Sequence, residues 1–260
     1  MKTLLKTLIG IGLLFSLNSC QKAMEAYLGF PMQPENINAE FKPGLNVFGL
    51  IKAGPSMDTI NHFFEVHRIM HVFDTTATMM IDEATIELTR HRNGSPDVNY
   101  LLRSSYNGRY SSPFITTEAG DLWEYQCIYD TFLIRATTRV PNQPEIIDGS
   151  LAFIGNKLLF SLVPDTTAYM YDMYYISSND FVHLRKIPQY PEAIEVSLEI
   201  KTAPFEQGGL LYVIAYDANF ERYHTTANTF FKPNAYRPRF STVNGGYGCF
   251  GSAHIMQKQF

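Results

Sequence analysis

Cysteine is scarce in this chain, with three in 260 residues, at Cys20, Cys127 and Cys249. That count excludes a disulfide-dense scaffold. The lack of any Cys-x-x-Cys pair or Cys/His cluster excludes a zinc module. A Cys127–Cys249 disulfide is permitted in an oxidising compartment, but it depends on a geometry that sequence does not show. Charge is also low: 18% of residues are charged, with a net charge of −4. No basic run exists of the kind nucleic acid requires. No apolar stretch reaches the roughly 20 residues of a membrane-spanning helix. The Gly-x-Ser-x-Gly elbow of hydrolases is missing. Gly245-Gly246-Tyr247-Gly248 is rich in glycine, but no helical pattern follows it, whereas a phosphate loop opens a helix. The carboxylates are scattered singly, and no pair announces glycosidase chemistry.

What is present begins with the first twenty residues. Lys2 and Lys6 precede an almost unbroken apolar run from Leu4 to Leu17, which ends in Leu17-Asn18-Ser19-Cys20. A short basic segment, a short apolar segment and small residues at its end are the marks of a cleaved secretory signal. The cysteine at the cleavage point resembles the lipobox of bacterial lipoproteins. That resemblance makes residues 1–19 a signal peptide and Cys20 the lipidated first residue of the mature chain. Several acyl chains on one residue anchor a protein stably where a single chain would not. Residues 20–40, with Pro31 and Pro34 and no clear periodicity, read as a lipidated tether.

Beyond the tether, alternation of period two dominates, which is the mark of half-buried strands. Ala84, Ile86 and Leu88 share one face, opposite Thr85, Glu87 and Thr89. Phe132, Ile134, Ala136, Thr138 and Val140 share another, opposite Leu133, Arg135, Thr137 and Arg139. Ile194 to Ile200 and Leu210 to Tyr216 repeat the pattern. Asn93-Gly94, Asn107-Gly108, Gly155-Asn156 and Gly208-Gly209 supply hairpin turns between such runs. Aromatics reach 14%, from 19 Phe, 16 Tyr and one Trp. They suit strands, which pack flat rings well. Asn61–Asp74 fits a strand better than a helix. Many short strands with frequent turns imply an all-β chain of antiparallel sandwiches. Two prolines in Val140-Pro141-Asn142-Gln143-Pro144 place an expected boundary there. The expected organisation is one sandwich over 41–141 and a second over 142–260.

Few residues suggest chemistry. His67 and His71 are four apart, but Arg68 between them would repel a cation, so no metal site is assigned. Tyr169, Tyr171 and Tyr175 share a strand parity and, with Phe250, are the candidate binding residues. A tyrosine buries a flat ring while its hydroxyl stays bonded, which suits a glycan or protein partner. Packing in the core is the competing role for each. No catalytic residue and no cofactor other than the lipid on Cys20 is assigned.

The C-terminal stretch Ser241-Thr242-Val243-Asn244-Gly245-Gly246-Tyr247-Gly248-Cys249-Phe250-Gly251, led in by Phe230-Phe231-Lys232-Pro233, carries a family resemblance. With the lipobox, it resembles a family of Bacteroidota lipoproteins known only as a domain of unknown function. The first half, through Ala84–Leu88, Gly108-Arg109-Tyr110, Gly120–Tyr125 and Ala136–Pro141, looks similar to the transthyretin-like or carboxypeptidase-regulatory type of immunoglobulin fold. The resemblance implies a lipid-anchored outer-membrane protein, non-catalytic, working beside a TonB-dependent nutrient transporter. An independent surface glycan-binding lipoprotein is the alternative, and a hydrolase comes last. Gln21-Lys22 followed by Glu25 resembles the surface-export signal of such lipoproteins, which implies a cell-surface location. Asp58-Thr59-Ile60, Asp74-Thr75-Thr76 and Asp165-Thr166-Thr167 resemble the Asp-Thr-x sites that these bacteria O-glycosylate.

Overall fold

Eight strands, four from residues 45–111 and four from residues 170–259, lie side by side in one sheet, and two smaller sheets pack against it. The structure is a computed structural model and describes residues 43–55, 62–70, 79–201, 209–227 and 241–260. The leader, Cys20, the tether and the Phe230–Pro233 lead-in lie outside the described residues. So do His71, the Asp58 and Asp74 motifs and Gly208. Among the described residues are fifteen strands. They are β1 (Leu45–Ala53), β2 (Phe63–Arg68), β3 (Thr85–His91), β4 (Val98–Leu101), β5 (Arg103–Tyr106), β6 (Arg109–Ser111), β7 (Leu122–Tyr129) and β8 (Phe132–Arg139). Then follow β9 (Ala152–Ile154), β10 (Lys157–Leu162), β11 (Met170–Ile176), β12 (Phe181–Lys186), β13 (Ile194–Glu199), β14 (Leu210–Tyr216) and β15 (Tyr247–Gln259). A single described helix, α1 (Ala218–Ala227), lies between β14 and β15.

The sheets run β12-β11-β14-β15-β1-β2-β6-β5, β13-β10-β9 and β4-β3-β7-β8. The alternating runs behave as expected. Ile86, Leu88, Ile134, Ala136 and Val140 are buried, and so are Ile194, Val196 and Leu198. The Gly155-Asn156 turn joins β9 to β10, with Ile154 opposite Lys157. Phe63–Arg68 forms a strand, with Phe64 and Val66 buried. The seven strands β9–β15 pair as a three-stranded and a four-stranded sheet, the arrangement of an immunoglobulin-like sandwich. Leu158, Phe160, Tyr171, Met173, Tyr175, Val196 and Val213 fill its core. Trp123, Tyr125, Ile86, Leu88, Val66 and Ile134 fill the core of the other sandwich.

The strands from the two sides of Pro141–Pro144 share the eight-stranded sheet. The long last strand makes the join. Tyr247–His254 of β15 pairs with β1, and Ala253–Gln259 pairs with β14. The first of these pairings is parallel, a departure from the all-antiparallel expectation. A parallel neighbour requires a long crossover, and here nearly the whole chain supplies it. Phe250 therefore packs in the first core, with its ring 5.1 Å from Tyr125, while Met256 and Phe260 pack on the second. The residues Pro43–Tyr223 and Phe240–Phe260 form one compact unit. The other unit, Met1–Lys42 with His224–Arg239, is described only where α1 enters it.

The C-terminal glycines mark where the chain crosses between layers. Asn244 exchanges backbone hydrogen bonds with Arg135 of β8, at 3.0 and 2.8 Å. Three residues later the chain is in the opposite sheet, beside β1. Gly245 has φ +82°, and a Cβ there would lie 2.1 Å from the Leu133 carbonyl oxygen. Gly248 has φ +110°, and a Cβ would lie 1.8 Å from the Val47 oxygen. Both needs, a left-handed backbone and a close approach, are met only by glycine.

Cys127 and Cys249 are both buried free thiols. Cys127 sits in the first core, and Cys249 lies in a separate cluster on the other face of the large sheet. Burial pushes the two thiols up, to about 11 and about 12. The permitted disulfide is thus not formed.

Candidate functional site

The outward face of β3, β7 and β8 carries two rows of polar side chains. Strand register places Glu87, Gln126 and Arg135 abreast, and the Arg135–Asn244 bridge extends that row to Asn244. Thr89, Glu124 and Thr137 form the second row. Asn219 extends it, since its Nδ2 donates to the Thr137 carbonyl at 2.7 Å and to the Phe250 carbonyl at 3.0 Å. Both amide hydrogens are thereby used, so the Asn219 side-chain oxygen is held outward as an acceptor. The two rows floor a groove of ≈ 410 Å³ whose rim includes Thr242.

A second groove, of ≈ 390 Å³, lies on the other side of Thr137 and Asn219. Arg139, Thr166, Thr167, Tyr169 and Asp217 line it. Its outer wall is the 165–169 loop. Asp165 caps that loop by accepting from the Thr167 amide and hydroxyl, both at 2.8 Å. The Tyr190 hydroxyl sits between the Asp165 and Ala168 carbonyls and donates its one hydrogen to this pair. These bonds present Tyr169, which is 45% exposed, at the mouth of the groove.

Asp217 forms the floor and starts α1. Its Oδ1 accepts from the Phe220 amide at 3.0 Å, an N-cap bond. Gly251 makes room for it, since a Cβ there would lie 2.9 Å from Asp217 Oδ1. Burial raises the Asp217 pKa to about 6, against the opposing pull of hydrogen bonds from Thr138 and backbone amides. The hydrogen count points the same way. Three oxygen contacts run in a chain: Asp217 to Thr138 Oγ1 at 2.5 Å, Thr138 Oγ1 to Ser252 Oγ at 2.8 Å, and Ser252 Oγ to the Arg139 carbonyl at 2.9 Å. Two hydroxyls carry two hydrogens, and three links need three. Below its pKa of about 6 a protonated Asp217 supplies the third; above it Thr138 donates to the carboxylate and one link is left without a hydrogen. Two other buried carboxylates are held quite differently, by cations. Asp121 receives Arg92 on both oxygens at 2.7 Å. Asp172 receives Arg185 on both oxygens at 2.8 Å, with His183 Nε2 at 2.9 Å. Burial would raise the Asp172 pKa, but the bonds from Arg185 and His183 outweigh it and hold it below the usual carboxylate value. These two clusters are closed ion pairs.

Of the four tyrosine and phenylalanine candidates, only Tyr169 reaches a groove. Tyr171 and Tyr175 are each 1% exposed and pack in the second core. Phe250 is 1% exposed and packs on Tyr125. Tyr171 and Tyr175 do share a parity, but it points into the sandwich. His67 lies 3.4 Å from Glu65. Among the described residues no three His, Cys, Asp or Glu side chains come together to hold a metal. Sequence reasoning missed Asp217, Asn219 and Ser252. One signal was present: Thr138 sits at a core parity among Ile134, Ala136 and Val140, and a polar residue there needs a buried partner.

The fold and grooves define an immunoglobulin-like β-sandwich protein with two adjoining open grooves. No family model matches the chain. No curated protein matches it either. Among solved structures it is similar to a tetra-tandem repeat in the extending region of a large adhesion protein, with TM-score 0.25 and 7% identity. That likeness covers 83% of this chain, which spans 49% of the other. It is also similar to the chicken interferon gamma receptor alpha chain, with TM-score 0.21 and 9% identity, covering 70% of this chain and 92% of that one. At such scores the paths differ in detail, and the fold rests on the strand pairing above. No helix among the described residues is long and apolar enough to cross a membrane.

Proposed function

We propose that the protein is a lipid-anchored binding lipoprotein of the outer membrane, facing the cell exterior and serving a TonB-dependent transporter without catalysing a reaction. The observation that carries this reading is the leader ending in Leu17-Asn18-Ser19-Cys20. The open grooves on either side of Asn219 support a binding role. The transporter partner rests on the family resemblance of the C-terminal stretch.

The test is a Cys20→Ala variant expressed in a Bacteroidota host beside the parent. The parent should incorporate labelled fatty acid and sediment with outer membranes. The variant should lose the label and move to the soluble fraction. Equal labelling and equal sedimentation would refute the anchor. Detergent-solubilised parent, captured by a C-terminal tag, should bring down a β-barrel transporter. Capture of none, with anchoring intact, would remove the transporter and leave the anchored binder.

A further inference from the structure

We infer that the paired grooves around Asn219 bind a neutral oligosaccharide, with Tyr169 as the stacking platform at one end. This inference rests on the reading of the protein as a binding lipoprotein and names the class of its ligand.

The floor of the first groove sets the chemistry of the ligand. Adjacent strands stand about 4.8 Å apart, and alternate residues along a strand about 6.8 Å apart. Register therefore sets Glu87, Gln126, Arg135 and Asn244 in one line, with Thr89, Glu124, Thr137 and Asn219 in the next. Donors and acceptors alternate across this lattice, and the second groove adds apolar surface from Leu122, Ala218 and the Tyr169 ring. A ligand that fits must carry closely spaced groups that both donate and accept. Hydroxyls on a sugar ring do so.

Other ligand classes fit less well. An extended peptide would add to a sheet edge through its main chain. The edge of β8 is already taken: Asn244 holds the Arg135 amide and carbonyl, and Asn219 holds the Thr137 carbonyl. A peptide would find side chains only. A nucleic acid needs a cationic track. Here Glu87, Glu124 and Asp217 are set against Arg135 and Arg139, three acids to two bases, with no surplus of positive charge. The balance favours an uncharged ligand. A wholly apolar ligand would leave the polar rows of the first groove unpaired, and Tyr169 is the one described aromatic with an exposed face on either groove. A single exposed ring beside hydroxyls and amides suits the apolar face of one sugar unit. Each groove falls in the range of about 300–1,000 Å³ usual for small-ligand sites. Because Thr137 and Asn219 border both, one chain can lie across the two.

The test uses the full chain with Cys20→Ala, free of membrane and transporter, so its failure is separate from failure of the anchor or of transporter capture. Isothermal titration is run with malto-, cello-, xylo-, manno- and N-acetylchito-oligosaccharides of four to six units, and with polygalacturonate as an acidic probe. At least one neutral oligosaccharide should bind saturably. Tyr169→Ala should weaken that binding by about tenfold or more, which is readily resolved as a change in Kd. Thr137→Trp should abolish it by filling the junction of the grooves. Both positions are exposed, and both variants should melt with the parent; if Thr137→Trp does not fold, Thr166→Trp on the exposed loop blocks the second groove instead. The inference is overturned if no neutral oligosaccharide binds at about 10 mM, a limit that excludes even weak recognition. It is equally overturned if binding persists unchanged in either variant, or if only polygalacturonate binds.

Discussion

Gly248→Ala should destabilise the fold by about 3–5 kcal/mol, because about 1–3 kcal/mol of backbone strain adds to a clash with main chain that has nowhere to relax. The residue has φ +110°, and its added methyl would meet the Val47 carbonyl oxygen at 1.8 Å. That oxygen belongs to β1, the strand to which β15 is paired. Relief therefore means parting these two paired strands. Phe250, two residues on, would be pulled from its contact with Tyr125. Thermal melting should fall by roughly 10 °C, since about 2–4 °C accompanies each kcal/mol in a chain of this size. Gly149→Ala is the control. Gly149 also has positive φ, +76°, but nothing lies within 4 Å of an added Cβ. Its cost should be only the left-handed penalty of about 1–2 kcal/mol. Equal losses at the two positions would show that backbone conformation alone matters and that the approach to Val47 does not.

Asp217→Asn should stabilise the protein at neutral and alkaline pH and have little effect in acid. The folded pKa is about 6, raised from 3.8 by burial. A carboxyl with a raised folded pKa favours the folded state most below its unfolded pKa. That contribution is lost as pH rises through the folded value, because the folded protein must then ionise a buried group. The window therefore runs from about pH 4 to about pH 6. Above it the wild type carries a cost of roughly 3 kcal/mol relative to acid, because each pH unit separating the folded and unfolded values is worth about 1.36 kcal/mol. Asparagine keeps the N-cap acceptor for Phe220 and supplies from Nδ2 the hydrogen that the Thr138–Ser252 chain needs. It does not ionise. The difference in denaturation free energy between variant and parent should be small at about pH 4, grow across the window, and level off by about pH 7.5. A difference independent of pH would mean that Asp217 does not titrate there. A variant less stable at every pH would mean that the carboxylate, and not the acid, is the form the fold holds.

These two positions show how unevenly the molecule is legible in its sequence. Ile86 and Leu88, or Val196 and Leu198, declare their burial through the period of two. A strand with one wet face must alternate, and a one-residue slip would bury its charges. Leu210–Tyr216 alternates in polarity less clearly, and the reason is that β14 is covered on both faces, by the second core on one side and by α1 and its neighbours on the other. The proline pair falls in the gap between β8 and β9, yet it does not reveal that strands on either side share a sheet. Tyr171, Tyr175 and Phe250 look like candidate binders in the sequence because a tyrosine or phenylalanine suits a core and a surface alike. Parity assigns a residue to a face, but only the packing of sheets tells which face is wet.

By itself, then, the sequence determined what depends on neighbours along the chain. That includes the β class, turns such as Gly155-Asn156, the alternation of the half-buried strands and the glycine-rich stretch near the C-terminus. The tertiary structure decided what depends on contacts between residues more than a hundred positions apart. The parallel pairing of β1 with β15 is one such contact, and the Thr138–Ser252 hydroxyl link is another. The raised pKa of Asp217 and the polar rows that end in Asn219 and Asn244 follow from the same closure. Local pattern sets which way a side chain points. The energy of a buried acid, or the reach of a groove, is set by the groups that folding brings opposite, and no periodicity along the chain encodes their distance.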